Sequence, residues 1–303
     1  MSRPPAHIPG LRSRAGSRSH GATSAPARPA AGAQTLLAHR RPAPFAQTVY
    51  SGNARSVFEH GLATSYGSNW LIMVSGVLEP MLYLLSMGIG VGALVGAVQY
   101  QGQDLPYPAY IAPALLATSA MNGAIYDSTW NVFFKLRFSK VYQSMLATPL
   151  GPLDVALGEI SSALFRGMLY SCAFMALMSV LGYSLAWTAV LAIPACLLIA
   201  FGFAALGMAV TSYCRTFVHM DWIMVVLLPM FLLSATFFPI TVYPPALQWV
   251  IMAFPLWHAV EMVRMLSTGL LTPVFAVHVG YFAVLAGVGI VLVTRRLSAL
   301  FLR

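Results

Sequence analysis

The chain has 303 residues, 58% of them hydrophobic and 8% charged, and a net charge of +9. A soluble domain carries roughly 25% charged residues, so the 8 acidic side chains here are too few to wet a water-soluble protein of this size. A mean hydropathy of +0.75 makes lipid the solvent, and the fold class expected is an all-α polytopic membrane protein, since a helix satisfies its own backbone in hydrocarbon.

Residues 1–44 carry seven arginines and no acid in a Pro-, Ala- and Ser-rich stretch. Such a segment buries too little apolar surface to order, and it is expected to be a disordered cytosolic tail. No apolar h-region follows the arginines, which argues against a secretory signal, although an Arg-rich, acid-free leader also has the composition of an organelle transit peptide. Residues 45–303 form the membrane domain. Within it, residues 54–66 place Phe58, Leu62 and Tyr66 in one helical stripe with Arg55, Glu59 and His60 outside it. That pattern predicts an interfacial helix along the inner membrane surface.

Six apolar runs follow, at residues 70–92, 107–130, 153–182, 187–211, 222–240 and 274–294. Six spans place both termini on one side. The segments assigned to that side hold fifteen of the 17 Lys and Arg, so both termini are expected in the cytosol by the positive-inside rule. Residues 243–260 are apolar but interrupted by Pro244, Pro245 and Pro255. They predict a re-entrant or interfacial hairpin on the outer side, because a seventh span would carry Arg295, Arg296 and Arg303 outside.

The loop after the second run is amphipathic. Phe134, Phe138, Val141, Tyr142 and Met145 share one helical face, with Lys135, Ser139, Lys140 and Gln143 elsewhere on the wheel and Leu136 breaking the pattern. Glu79, Glu159 and Arg166 lie in or near apolar runs, where an unpaired charge costs several kcal/mol, and should face protein or water. Glu159 and Arg166 lie two turns apart on one helix face. Such charges serve either as ion pairs locking helices or as a proton relay, and the former is the simpler reading.

No Gly-x-x-x-x-Gly-Lys-Ser/Thr loop is present, so the chain is expected to bind no ATP in that manner. The run Gly88, Gly90, Gly92 closes an apolar helix and suits close helix packing. His258 and Glu261 are three apart, but no third ligand is near and no metal is expected. Glu261 with Arg264 reads as an exposed helical pair. Cys172, Cys196 and Cys214 have no metal-type spacing and read as small core residues. No catalytic triad or carboxylate pair stands out.

Four stretches together resemble ABC-2-type permeases, in the branch that includes nodulation lipo-oligosaccharide exporters and related drug and polysaccharide exporters. They are KLRFSKVYQSMLATPLGPLDVALGE at residues 135–159, LEPMLYLLSMGIGVG at 78–92, FFPI at 237–240 and FPLWHAVEMVR at 254–264. The resemblance covers residues 45–303. It implies a half-transporter in the plasma (inner) membrane, in which two six-helix permeases pair with two separate ATPase subunits that hold the ATP. It further implies that residues 134–150 form a coupling helix on the ATPase, braced by the surface helix, and that the outer hairpin helps close the exit. The cargo expected is amphipathic: a lipid-linked saccharide, a glycolipid or a hydrophobic drug. A proton-coupled secondary transporter using Glu79 and Glu159 would show inverted repeats, and none is visible. A polytopic assembly protein would need no coupling segment.

Overall fold

The computed structural model describes residues 50–301 except 67–69, 140, 147, 149 and 185. The basic tail, Lys140 and Arg303 therefore lie outside the described residues. The described chain is helical apart from one two-stranded hairpin.

In chain order, α1 (Ala54–Tyr66) precedes α2 (Trp70–Leu85), which runs through a π-helical turn (Ser86–Val91) into α3 (Gly92–Val95). Strands β1 (Ala97–Tyr100) and β2 (Gln103–Pro106) pair antiparallel, with Tyr100 opposite Gln103. Their two-residue turn sets Gln101 at φ 48° and Gly102 at φ 81°, the pair of left-handed conformations that matches the twist of a tight hairpin. Helix α4 (Tyr107–Tyr126) continues through a second π turn (Asp127–Asn131) into α5 (Val132–Arg137). Then come α6 (Val141–Leu146), α7 (Pro152–Val180), a 3-10 turn (Trp187–Leu191) and α8 (Ala192–Tyr213). The chain ends with α9 (Phe217–Leu233), α10 (Pro245–Ala253), α11 (Pro255–Thr268) and α12 (Phe275–Phe301).

Four helical segments are long and apolar enough to cross a membrane: Gly76–Val95, Pro152–Val180, Trp187–Tyr213 and Phe275–Leu300. The other two expected spans coincide with α4 and α9. Helix α4 has 20 residues but lower hydropathy for a physical reason. It is buried on nearly every face among other helices, with Thr118 and Ser119 inside, so protein rather than lipid is its solvent. Helix α9 has 17 residues and buries only Met220, Met230 and Phe231. It stops at Leu233, short of the run's end at Ile240, because Ala235 turns to φ 55° and leaves the helical region.

The bundle closes through glycines. A Cβ on Gly123 of α4 would stand 3.0 Å from the Gly167 Cα of α7, and one on Gly289 of α12 would stand 2.7 Å from the Ala205 backbone of α8. Small residues let helix backbones approach where lipid supplies no hydrophobic drive. The Gly88, Gly90, Gly92 run takes little part in this. It sits at the first π turn, where Gly88 and Gly92 make ordinary contact with Pro108 and Gly90 meets nothing within 4 Å.

Helix α1 packs on α7. Val57 and Gly61 are buried and Phe58 and Leu62 half-buried, while Arg55, Glu59 and His60 face outward. A Cβ on Gly158 would sit 2.5 Å from the Val57 Cβ, so the α1 backbone rests directly on α7. The buried Asp154 carboxylate fixes the entry to α1 by accepting from the backbone N–H of Ser51 (2.7 Å), of Asn53 (3.0 Å) and of Gly151 (2.9 Å), and from the Ser51 hydroxyl (2.8 Å).

Candidate functional site

The end of the bundle that carries Lys135, Arg137 and Arg215 differs from the single amphipathic helix the sequence suggested. The chain is helical through Arg137, breaks, and resumes at Val141. The stripe is thereby split. Tyr142 turns inward and is 1% exposed, whereas Phe134 and Phe138 stay 46% and 57% exposed. The break separates the two halves because Phe138 and Ser139 both donate to the Phe134 carbonyl, at 3.0 and 3.1 Å, closing the first helix there. Phe134 and Phe138 stack instead with Phe217, at ring distances of 5.8 and 5.2 Å, over the buried Phe133. Arg137 pins this aromatic group by donating twice to the Cys214 carbonyl, at 3.1 and 2.8 Å. Phe217 was not singled out in the sequence, although it follows Arg215 in the next basic loop.

Behind the aromatic patch lie two buried ion pairs. Lys135 of α5 bonds both oxygens of Glu159 on α7, at 2.9 and 2.8 Å. Arg166, two turns further along α7, meets Asp127 of the second π turn at 2.9 Å and lies over the Tyr126 ring at 5.3 Å. Glu159 and Arg166 thus each take a partner on the α4–α5 rod and not each other. Both pairs bridge helices.

Glu79 differs. It is exposed and lines a cleft of about 1000 Å³ between α2, α4 and α9. No hydrogen bond or ion pair engages it among the described residues. Apolar and aromatic side chains form most of the wall, including Tyr83, Tyr126, Met224 and Phe231, with Asn122 among the polar ones.

The opposite end is built around Arg264. Helices α10 and α11 meet at 86° around Pro255, a bent pair following the Pro244–Pro245 break. Glu261 and Arg264, expected on an exposed face, are instead enclosed, with Arg264 at 0% exposure. The guanidinium donates to Glu261 Oε1 (2.6 Å), to the Ala235 carbonyl (2.9 Å) and to the Tyr110 carbonyl (3.3 Å), and lies 4.0 Å from the Tyr110 ring centroid. These partners satisfy the charge, which is what allows it to be buried. Tyr100 of β1 donates to Glu261 Oε2 at 2.9 Å. Burial and the Glu261 carboxylate push its phenol above the ordinary value, so it remains a donor. His258 does not share a site with Glu261. Its Nδ1 faces His278 Nδ1 at 2.8 Å, and its ring stacks on Tyr281 at 4.0 Å. Among the described residues no group of three His, Cys, Asp or Glu could hold a metal.

Two cross-helix ion pairs, an apolar cleft and an aromatic patch at the basic end thus sit in one helical membrane bundle. Residues 55–267 match the model of the ABC-2 type transporter family, and the chain belongs to that family. It is similar to Nodulation protein J of Rhizobium leguminosarum bv. viciae, 29% identical over 70% of this chain and 81% of the relative. Nodulation protein J of Sinorhizobium fredii (strain NBRC 101917 / NGR234) is 31% identical over 63% and 72%, and that of Bradyrhizobium diazoefficiens 31% over 71% and 80%. The chain is a multi-pass inner-membrane protein, the membrane-spanning subunit of a transporter that works with an ABC ATPase subunit.

Proposed function

We propose that the chain is an export permease with no ATP site of its own, that two copies or two related permeases pair within membrane lipid, and that ATP is bound and hydrolysed on the separate subunit. The observation that carries this reading is the patch of Phe134, Phe138 and Phe217 held open at the basic end, within a chain whose family works with an ATPase. Exposed aromatics of this size mark a docking surface. Lys135 ties the same segment to α7, so a push on the patch reaches the helices around the cleft.

In this reading both termini and the patch face the cytosol, the α10–α11 pair closes the outer exit without spanning, and α1 braces the docking segment. The cleft between α2, α4 and α9 carries an amphipathic cargo such as a lipid-linked saccharide, a glycolipid or a hydrophobic drug. Its greasy α9 wall suits an acyl or aryl part, and its α2 and α4 walls offer polar groups. The test is reconstitution. The permease purified with its ATPase should move an amphiphile out of the inner leaflet only when ATP is hydrolysed. Stoichiometric ATP binding by the permease alone, or transport driven by a proton gradient without ATP, would refute the proposal.

A further inference from the structure

The geometry points to Glu79 as the recognition group of the cleft: a hydrogen-bond acceptor for the cargo's head group, selecting heads with O–H or N–H donors and rejecting anionic ones. This rests on the cleft being the cargo path, as proposed above.

Three observations carry it. First, the charges expected inside the membrane have separated into two kinds. Glu159 and Arg166 are spent on Lys135 and Asp127, whereas Glu79 faces the cleft without a protein partner among the described residues. A carboxylate on an apolar wall is costly unless something donates to it, and a cargo head can do so. Second, the next residue is Pro80, inside α2. Proline has no N–H to give the carbonyl four residues back, so the Gly76 carbonyl loses its helical donor, and Gly76 lines the same cleft. The α2 wall therefore sets Glu79 beside a carbonyl that lacks its usual helical donor. Third, none of the lining side chains among the described residues is basic. The cation Arg166 lies over the Tyr126 ring and is paired with Asp127. An anionic head would meet a carboxylate and find no counter-charge. On the far wall Met224, Leu228 and Phe231 offer only apolar contact. The cleft thus has a donor-seeking side and an apolar side, which fixes the orientation of an amphiphile within it.

The test uses the permease–ATPase complex in nanodiscs and three fluorescent twelve-carbon amphiphiles ending in a glucosyl, a primary ammonium or a sulfate head. Equilibrium binding to the wild-type complex should rank both donor heads above sulfate by about tenfold or more, the size of one hydrogen bond to a charged acceptor. Glu79→Gln keeps the shape and removes the charge. It should weaken the ammonium head about tenfold and narrow the gap to sulfate. Met224→Trp, which shortens the apolar wall, should weaken all three heads alike. Equal wild-type binding of sulfate and ammonium heads, or an unchanged gap between them in Glu79→Gln, would overturn the assignment. Failure of the ATPase to co-purify would instead count against the export reading, since binding to the permease can still be ranked.

Discussion

At the scale of single residues, the strongest commitment in the molecule is Arg264. It is fully buried and serves Glu261, the Ala235 and Tyr110 carbonyls and the Tyr110 ring together. Removing one partner of a buried pair strands the other, at about 3–5 kcal/mol. Arg264→Met should therefore lower the melting temperature of the purified protein far more than Tyr100→Phe, which forfeits one hydrogen bond worth about 1–3 kcal/mol. An Arg264→Met chain as stable as wild type would show that the cluster contributes nothing. Ala235 holds φ 55° without being glycine, so Ala235→Gly should keep or raise stability by up to about 1 kcal/mol, and Ala235→Val should lower it. The sequence made Glu159 and Arg166 legible as charges that must face protein, because hydropathy alone marks them as misplaced in lipid. Their partners were not legible. Lys135 and Asp127 are chosen by how α4–α5 is rotated against α7, and that register is set by Gly123 on Gly167, a contact between distant segments. The same is true of Arg264, whose cage comes from three other elements.

At the scale of elements, the surface helix α1 is held by a clamp and not by its stripe alone. Asp154 accepts four hydrogen bonds, from Ser51, Asn53 and Gly151. Asp154→Ala should release the entry to α1 at a cost of about 2–4 kcal/mol. Gly158→Leu should have the same effect by a different route, since even a Cβ there meets Val57 at 2.5 Å. Faster protease cleavage before Ala54 in both variants is the expected result, and unchanged cleavage in both would mean that α1 is held by the membrane. Apolar runs located the long helices well, because each must bury its backbone. Periodicity did worse where the chain leaves the α-helix: the π turns at Ser86–Val91 and Asp127–Asn131 have no hydropathy signature. The β1–β2 hairpin did have one, in Gly102 between Val98 and Leu105, which are both buried, but it is masked by its position between two long helices. The stripe of Phe134 to Met145 failed for a further reason. Helical spacing assumes an unbroken helix, and the chain breaks between Phe138 and Val141.

At the scale of the whole molecule, topology and coupling can be tested together. Fusion reporters after Ala54, Ser144 and His219 should read cytosolic, and those near Asp104 and Gln248 external. A cytosolic reading at Gln248 would remove the outer hairpin and with it the six-span arrangement. Coupling depends on the same orientation. The split of the stripe sorts its residues into two roles. Tyr142 is buried beside α7, so Tyr142→Asp should damage the fold itself and lower the yield of inserted protein. Phe138 and Phe217 are exposed and pack on each other, so an aspartate at either leaves the bundle intact. It places a charge where a partner would bury an aromatic ring, and central aromatics in such contacts contribute about 2 kcal/mol or more. Phe138→Asp and Phe217→Asp should each insert normally, retain the melting temperature within a few degrees, and lose ATPase co-purification by roughly thirtyfold, the factor equivalent to about 2 kcal/mol. Because the two rings belong to one patch, the double variant should cost little more than either single one, as contacting residues are not additive. Full co-purification and transport in both single variants would mean that the patch rests on lipid and that the ATPase docks elsewhere.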